Sequence, residues 1–313
     1  VHGVMTSLRD KGPGPDSIPN AFWRKYKDKL AYPLAKMFQA AIAHKAFHPS
    51  TTQGAITILH KKKDRRNIRN YRPIALLNTD YKIFTIILNE RLKQVIHHIA
   101  SQENSGFIPQ RFIVENAHLL NMLRARSEEL AAHAVPPMAR FGSAFVSLDQ
   151  EKAFDRASWE YLDMALHTLN FGQRFIASTK LMYNPANPPT RQLRINGFVS
   201  DFFPIRSGVP QGCAASPLLY IIFTECLTRM VNDDPSWSGI PFTIPGSPRR
   251  LLHRGHTTVP PENPRRSHST RLEIKITQYA DDTVLAISNP RWGMPNAMRT
   301  VDNYLRATAG RLN

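Results

Sequence analysis

The stretch Lys275-Ile-Thr-Gln-Tyr-Ala-Asp-Asp-Thr-Val-Leu-Ala-Ile-Ser288 sets Asp281 and Asp282 between two runs of alternating or β-branched residues. Such runs predict strands, and the acids fall at the bend of the hairpin joining them. Adjacent carboxylates repel each other, and partial burial raises the cost, whereas a divalent cation between them removes it. A Mg²⁺ site is therefore one reading. The other is a turn in which the acids bond nearby backbone N–H groups, and Asp233-Asp234 has the composition of such a turn.

A second segment bears on that choice. In Phe145-Val-Ser-Leu-Asp-Gln-Glu-Lys-Ala-Phe-Asp155 a short apolar run ends at Asp149 and a helical pattern follows. The end of a strand facing a hairpin tip is a place where carboxylates from distant parts of a chain can meet on one ion. Three acids can clamp two Mg²⁺ ions about 4 Å apart, one activating an attacking hydroxyl and one stabilising the leaving oxygen. That is the geometry of phosphoryl transfer.

Across nearly its whole length the chain resembles the reverse transcriptases, and among them the enzymes of non-LTR (LINE-like) retrotransposons. Lys11-Gly-Pro-Gly-Pro-Asp16 is similar to the family's opening motif, and Asn70-Tyr-Arg-Pro-Ile-Ala-Leu-Leu-Asn78 with Tyr81-Lys82 to its fingers motif. Gln102-Glu-Asn-Ser-Gly-Phe-Ile108 with Arg111 and the Asp149 segment come next. Ser207-Gly-Val-Pro-Gln-Gly-Cys-Ala-Ala-Ser-Pro-Leu-Leu219 resembles the template-side loop, and Tyr279-Ala-Asp-Asp282 the catalytic hairpin. Six motifs in the family's order are far more specific than any one of them.

The resemblance implies roles residue by residue. Asp149, Asp281 and Asp282 would bind the metal, two Mg²⁺ ions with Mn²⁺ as the alternative. Arg72 and Lys61 would hold the incoming dNTP, tasks that suit a guanidinium fork and a mobile ammonium. A solvated basic face explains the Lys61-Lys-Lys63 run equally well. Phe154 would sit under the sugar and exclude a ribose 2′-hydroxyl; a core phenylalanine is its other reading. Gln211 would lie beside the nucleotide or template, with Gly212 and Tyr279 along the template and primer. The implied reaction is RNA-directed DNA synthesis, in which a primer 3′-hydroxyl attacks the α-phosphorus of a dNTP paired to an RNA template.

Composition fits a nucleic-acid partner. Lys and Arg total 41 against 24 Asp and Glu, a formal charge of +17 over 313 residues. Such a balance favours phosphate backbones and makes binding salt-dependent. Membrane surfaces also attract basic domains, but the longest apolar runs, such as 217–226, are too short to cross a bilayer. Cys213 and Cys226 form no CxxC pair or zinc spacing, which suits a reducing intracellular compartment. The resemblance adds the nucleus for a eukaryotic retrotransposon, or an organelle for an intron-encoded enzyme.

Apolar spacing predicts helices around 20–46, 79–100, 112–133, 157–183 and 216–231, and strands around 54–60, 144–149, 191–196, 202–206, 273–279 and 283–288. The implied fold is α+β, a right-hand polymerase with fingers over 1–140 and palm over 141–313, its helices packed on a small antiparallel sheet. A Pro/Arg/His-rich stretch at about 232–270 reads as an inserted basic loop, or as an artefact of the gene's reading. The thumb and an upstream endonuclease are missing, so the chain reads as part of a longer polyprotein. Two alternatives remain in view: an intron-encoded maturase, and a non-catalytic RNA-binding remnant of a decayed element.

Overall fold

The computed structural model describes residues 1–133, 142–244 and 270–313. Helices α1 (His2–Ser7), α2 (Asn20–Lys25), α3 (Lys27–His44) and α4 (Pro49–Thr52) precede the hairpin of β1 (Gly54–His60) and β2 (Tyr71–Leu77). Helices α5 (Thr79–Ile99) and α6 (Ile113–Ala132) lead to β3 (Ser143–Leu148), then to α7 (Ala153–Arg156), α8 (Trp159–Thr168) and α9 (Gln173–Met182). Strands β4 (Thr190–Ile195), β5 (Phe198–Val199) and β6 (Phe203–Pro204) come next, before α10 (Ser216–Asp233). The chain ends through β7 (Ile240–Ile244), β8 (Thr270–Ile274), β9 (Ile276–Tyr279), β10 (Asp282–Ser288) and α11 (Pro290–Thr308).

Helix α10 is apolar on nearly every side, and such a helix has to be buried. Its Leu218, Leu219, Ile221, Ile222, Leu227 and Val231 all lie in the main core, together with Leu88, Leu92 and Ile96 of α5 and Leu162 and Leu166 of α8. Each such burial contributes roughly 1.5–3 kcal/mol relative to exposure. Against this layer lies an antiparallel sheet in the order β3-β10-β9. The α+β arrangement of helices on a small antiparallel sheet is as expected.

A separate sheet runs β2-β1-β4-β5, with β6 also on β4. It takes β4, β5 and β6 from beyond residue 140, so its strands come from both sides of the expected fingers and palm boundary. The opening motif is fastened beside it. Asn78 Oδ1 accepts from Asp16 N at 3.2 Å, and Lys82 Nζ donates to Gly12 O at 2.8 Å. A Cβ on Gly14 would lie 2.1 Å from Asn78 Oδ1, so no larger residue fits.

Several expected elements are divided. The helix expected at 20–46 breaks at Tyr26, and that at 157–183 breaks at Asn170 (φ 58°) and Gly172. The strand expected at 273–279 is two, because β8 pairs with β7 whereas β9 pairs with β10. The strand expected at 202–206 shrinks to Phe203–Pro204. Within the stretch expected to be an inserted loop, residues 232–244 and 270 are ordered, with Trp237 and Ile240 buried and β7 paired to β8. Residues 245–269 lie outside the described residues.

Beneath the β9–β10 turn runs a buried polar network. Fully buried Gln278 accepts from Thr228 Oγ1 and donates to Thr283 Oγ1 at 3.0 Å. Its backbone N–H donates to Glu103 O at 2.7 Å, and its carbonyl accepts from Ser105 N and from Asn116 Nδ2. One residue thus joins α10 and β10 through its side chain and the 103–105 loop through its backbone. Replacing it with an apolar isostere strands two buried threonine hydroxyls, each at about 1–3 kcal/mol. We expect Gln278→Leu to lower the free energy of unfolding by about 2–4 kcal/mol in urea denaturation.

Candidate active site at the hairpin turn

The register of the three-stranded sheet brings the acids together. Leu148 pairs with Thr283, so Asp149 comes one step beyond the ladder, opposite Asp282, which itself pairs with Tyr279. Ala280 and Asp281 form the two-residue turn between these strands, and Ala280 takes φ 59°. Tight hairpins need such positive φ, which alanine adopts only at a cost. The loop above secures it: a Cβ on Gly106 would come within 2.4 Å of Ala280 N, so only glycine lets this loop lie against the turn.

Electrostatics mark Asp281 as the strained member. Burial pushes its carboxyl above the usual range, the charges of Asp282 and Asp149 push it further, and Lys61 opposes them. Lys61, at the start of the β1–β2 connection, is therefore within electrostatic reach of this carboxylate. Asp149 is held by the C-terminal segment: Asn313 Nδ2 donates to Asp149 Oδ2 and Asn313 N to Asp149 O, both at 2.9 Å. Among the described residues, no three His, Cys, Asp or Glu side chains stand close enough together to hold an ion as they are. Asp149, Asp281 and Asp282 are nonetheless neighbours at this end of the sheet. Their chemistry, carboxylate oxygen throughout, still suits a hard divalent cation, and its charge would offset the repulsion on Asp281.

An aromatic cluster flanks the acids. Phe154 stacks on Tyr220 with ring centroids 4.4 Å apart and meets Phe107 edge-on at 6.2 Å. Phe107 lies 6.2 Å from Tyr279. Tyr220 donates to Gln150 Oε1 at 3.1 Å, and its phenol is pushed up, first by burial and then by the charge of Asp281. Phe107 and Tyr220 were not among the residues expected here. Phe107 stands in a motif with no assigned task, and Tyr220 in an apolar run that reads as core.

The Pro210-Gln-Gly212 loop attaches to both sheets' neighbourhoods. Gln211 O accepts from Ala75 N at 2.7 Å, and burial raises the Asp155 carboxyl, with the Lys152 charge and then the Gln211 side chain opposing that rise. The close approach that Gly212 (φ 124°) permits is to Ala75 O, 2.3 Å from where a Cβ would stand. Arg72 is exposed on β2 opposite Leu59. Asp233-Asp234 is the structural turn its composition suggests. Asp234 accepts from Ser236 N, Trp237 Nε1 and Thr300 Oγ1, and these bonds outweigh burial to hold its carboxyl down to about 2.

A family profile described as reverse transcriptase (RNA-dependent DNA polymerase) matches residues 59–313, and the chain belongs to that family. It is 29% identical over 97% of its length to the transposon TX1 uncharacterized 149 kDa protein of Xenopus laevis, of which it covers 20%. It is also 29% identical, over 69% of its length, to the RNA-directed DNA polymerase from mobile element jockey of Drosophila melanogaster, covering 22% of that protein. The chain thus spans about a fifth of these curated relatives. Among solved structures, an apo telomerase from Candida tropicalis aligns with 83% of this chain and 47% of its own at 12% identity and a TM-score of 0.46. No helix among the described residues is long and apolar enough to cross a membrane.

The raised carboxyl of Asp281 has a sign that can be checked. An acid whose folded pKa exceeds its unfolded value of about 3.9 costs the fold stability progressively as pH rises from the unfolded value to the folded one, and by a constant amount above it. Without divalent cations, Asp281→Asn should therefore melt above the parent protein at pH 7. The gain should shrink as pH falls and disappear by about pH 2, well below the unfolded value, where the parent carboxyl is protonated in both states. Differential scanning calorimetry in chelator at the two pH values reads both outcomes.

Proposed function

We propose that this chain is the RNA-directed DNA polymerase part of a non-LTR retrotransposon protein, acting on an RNA template, a DNA primer and dNTP. The observation that carries the reading is the convergence of Asp149, Asp281 and Asp282 at the end of a three-stranded sheet in a chain of the reverse transcriptase family. The transposon names of the relatives favour an element-encoded enzyme over an intron-encoded one, and hence work in the nucleus.

In this reading Asp149, Asp281 and Asp282 hold two Mg²⁺ ions. When bound, those ions supply activation of a primer 3′-hydroxyl and neutralisation of the departing pyrophosphate. The chain's own residues do the rest by position and charge. Lys61, just beyond β1, and Arg72 on β2 grip the triphosphate. Phe154, wedged between Tyr220 and Phe107, presents a rigid ring where a 2′-hydroxyl would project. Gln211 and Gly212 border the template, and Tyr279 the primer. Fingers over 1–140 and palm over 141–313 remain the working division, with β4–β6 joining the fingers sheet.

Primer extension on an RNA template with dNTPs and Mg²⁺, carried out with the longer protein that contains this chain, tests the reading. Asp281→Asn should lower incorporation by at least about 10²–10³-fold, the scale of losing one preorganised charge-stabilising group. Equal incorporation by the variant would overturn the assignment. Phe154→Ala should raise ribonucleotide use relative to deoxynucleotide use by about 10–200-fold, the scale of a steric difference in a fitted pocket. Steady-state incorporation of matched dNTP and rNTP pairs measures that ratio.

A further inference from the structure

The sheet β2-β1-β4-β5 has a face that the proposed chemistry leaves unused. Cross-strand partners share a face. Arg72 pairs with Leu59, and Thr57 with both Ile74 and Arg194, so these residues occupy one side. The opposite side carries His60 with Tyr71, Ile58 with Pro73, and Phe198 with Ile195; Phe203, opposite Arg191, joins them. Phe198 is 81% exposed and Phe203 38%. On this side Ala75, Leu77 and Arg191, at the end of the sheet away from the β1–β2 connection, are buried, whereas Phe198 and Phe203 keep their rings exposed.

This face is also built rather than loose. The rings of His60 and Tyr71 meet at 5.2 Å, and the Tyr71 hydroxyl donates to Arg65 O at 2.9 Å. The connection from β1 to β2 is tied by its own bonds. Asn70 Nδ2 donates to Asp64 O at 2.8 Å, Asp64 Oδ1 accepts from Arg66 N at 2.9 Å, and Asn67 Oδ1 accepts from Arg69 N at 3.0 Å. With those groups satisfied internally, Lys61, Lys62, Lys63, Arg65, Arg66 and Arg69 are all exposed. None of the six forms an ion pair among the described residues.

Charge singles out the occupant. Residues 61–69 alone hold six Lys and Arg against Asp64, which is +5 of the chain's net +17. Because β1 and β4 are parallel, the basic tip and the Asn196-Gly197 turn beside Phe198 project from the same end of the sheet. Three strand spacings, roughly 14 Å, separate Tyr71 from Phe198. Exposed aromatic faces spaced across a sheet and bordered by unpaired cations take unpaired bases by stacking and their phosphates by charge. A duplex hides its base faces from such a surface.

We propose that the face opposite Arg72 is a platform for single-stranded RNA, with bases on Tyr71, Phe198 and Phe203 and phosphates on the 61–69 tip. The choice of RNA as the strand rests on the polymerase reading; the binding itself needs no catalysis. The test is fluorescence anisotropy with labelled oligouridylate over a salt series, in chelator and without nucleotides. The proteins compared are the parent, Phe198→Ala/Phe203→Ala and Lys62→Ala/Arg65→Ala/Arg66→Ala.

The aromatic variant should bind about 5–150-fold more weakly for each base whose stacking is lost, with an unchanged salt slope. The basic variant should flatten the slope of log affinity against log salt by about 2, near 0.7 for each phosphate contact removed. Duplex RNA should respond to the basic variant alone. Unchanged oligouridylate affinity in the aromatic variant would assign the face to a protein partner and overturn the proposal, as would equal losses for single strand and duplex. Because no incorporation is measured, an inactive polymerase leaves this result standing, and an active one that binds unchanged through the aromatic variant sinks only the platform.

Discussion

Backbone pairing between Ser143–Leu148 and Thr283–Ser288 joins segments separated by about 140 residues of sequence, and the arrangement of the acids follows from it. A ladder of six partners fixes the register, and strand side chains alternate with a period of two. A slip of one residue would send the core side chains Leu285 and Ile287 to the wrong face, together with the carboxylates at the sheet's end. Burial of these residues thus selects the one pairing that sets Asp149 opposite Asp282. The apolar core and the polar site are specified by the same register.

Holding like charges together works against the fold, and the surroundings of the turn show how that is tolerated. Gln278 satisfies every polar atom it buries and anchors the hairpin to α10 and to the 103–105 loop. Gly106 seats that loop on Ala280, and Arg111 fastens its other end through the carbonyls of Ser101 and Asn104. The stacked rings of Phe154 and Tyr220 close the flank. A rigid mount of this kind lets Asp281 stay half-buried with a raised carboxyl instead of swinging into solvent.

Much of this was readable in the residues, because short alternating or β-branched runs on both sides of the Asp281 bend are the pattern of two paired strands. Elements that lack a clean period were harder to read. Strand β2 contains Pro73 and is only half-buried, so its residues suggest an extended segment without showing a partner. Helix α11 opens on Pro290, which suits a first helical position, but contains Gly293 and Pro295, which argue against a helix; it forms because Ala297, Val301 and Tyr304 bury against the core. The strand expected at 273–279 changes partners at Lys275, which periodicity cannot reveal. Tyr220 and Phe107 were missed for a related reason: a ring in an apolar run reads as packing until the fold brings it beside a carboxylate.

The pairing of Ile244 with Thr270 has a practical meaning for the chain that runs between them. Both ends of residues 245–269 are held on neighbouring strands, one step apart, like the two posts of a gate. Whatever is hung there leaves and re-enters at a single point, so its length does not alter the spacing on either side. That hairpin is a natural graft point, where a fluorescent reporter or an affinity handle could replace the intervening sequence while the β9–β10 hairpin beyond it keeps its register.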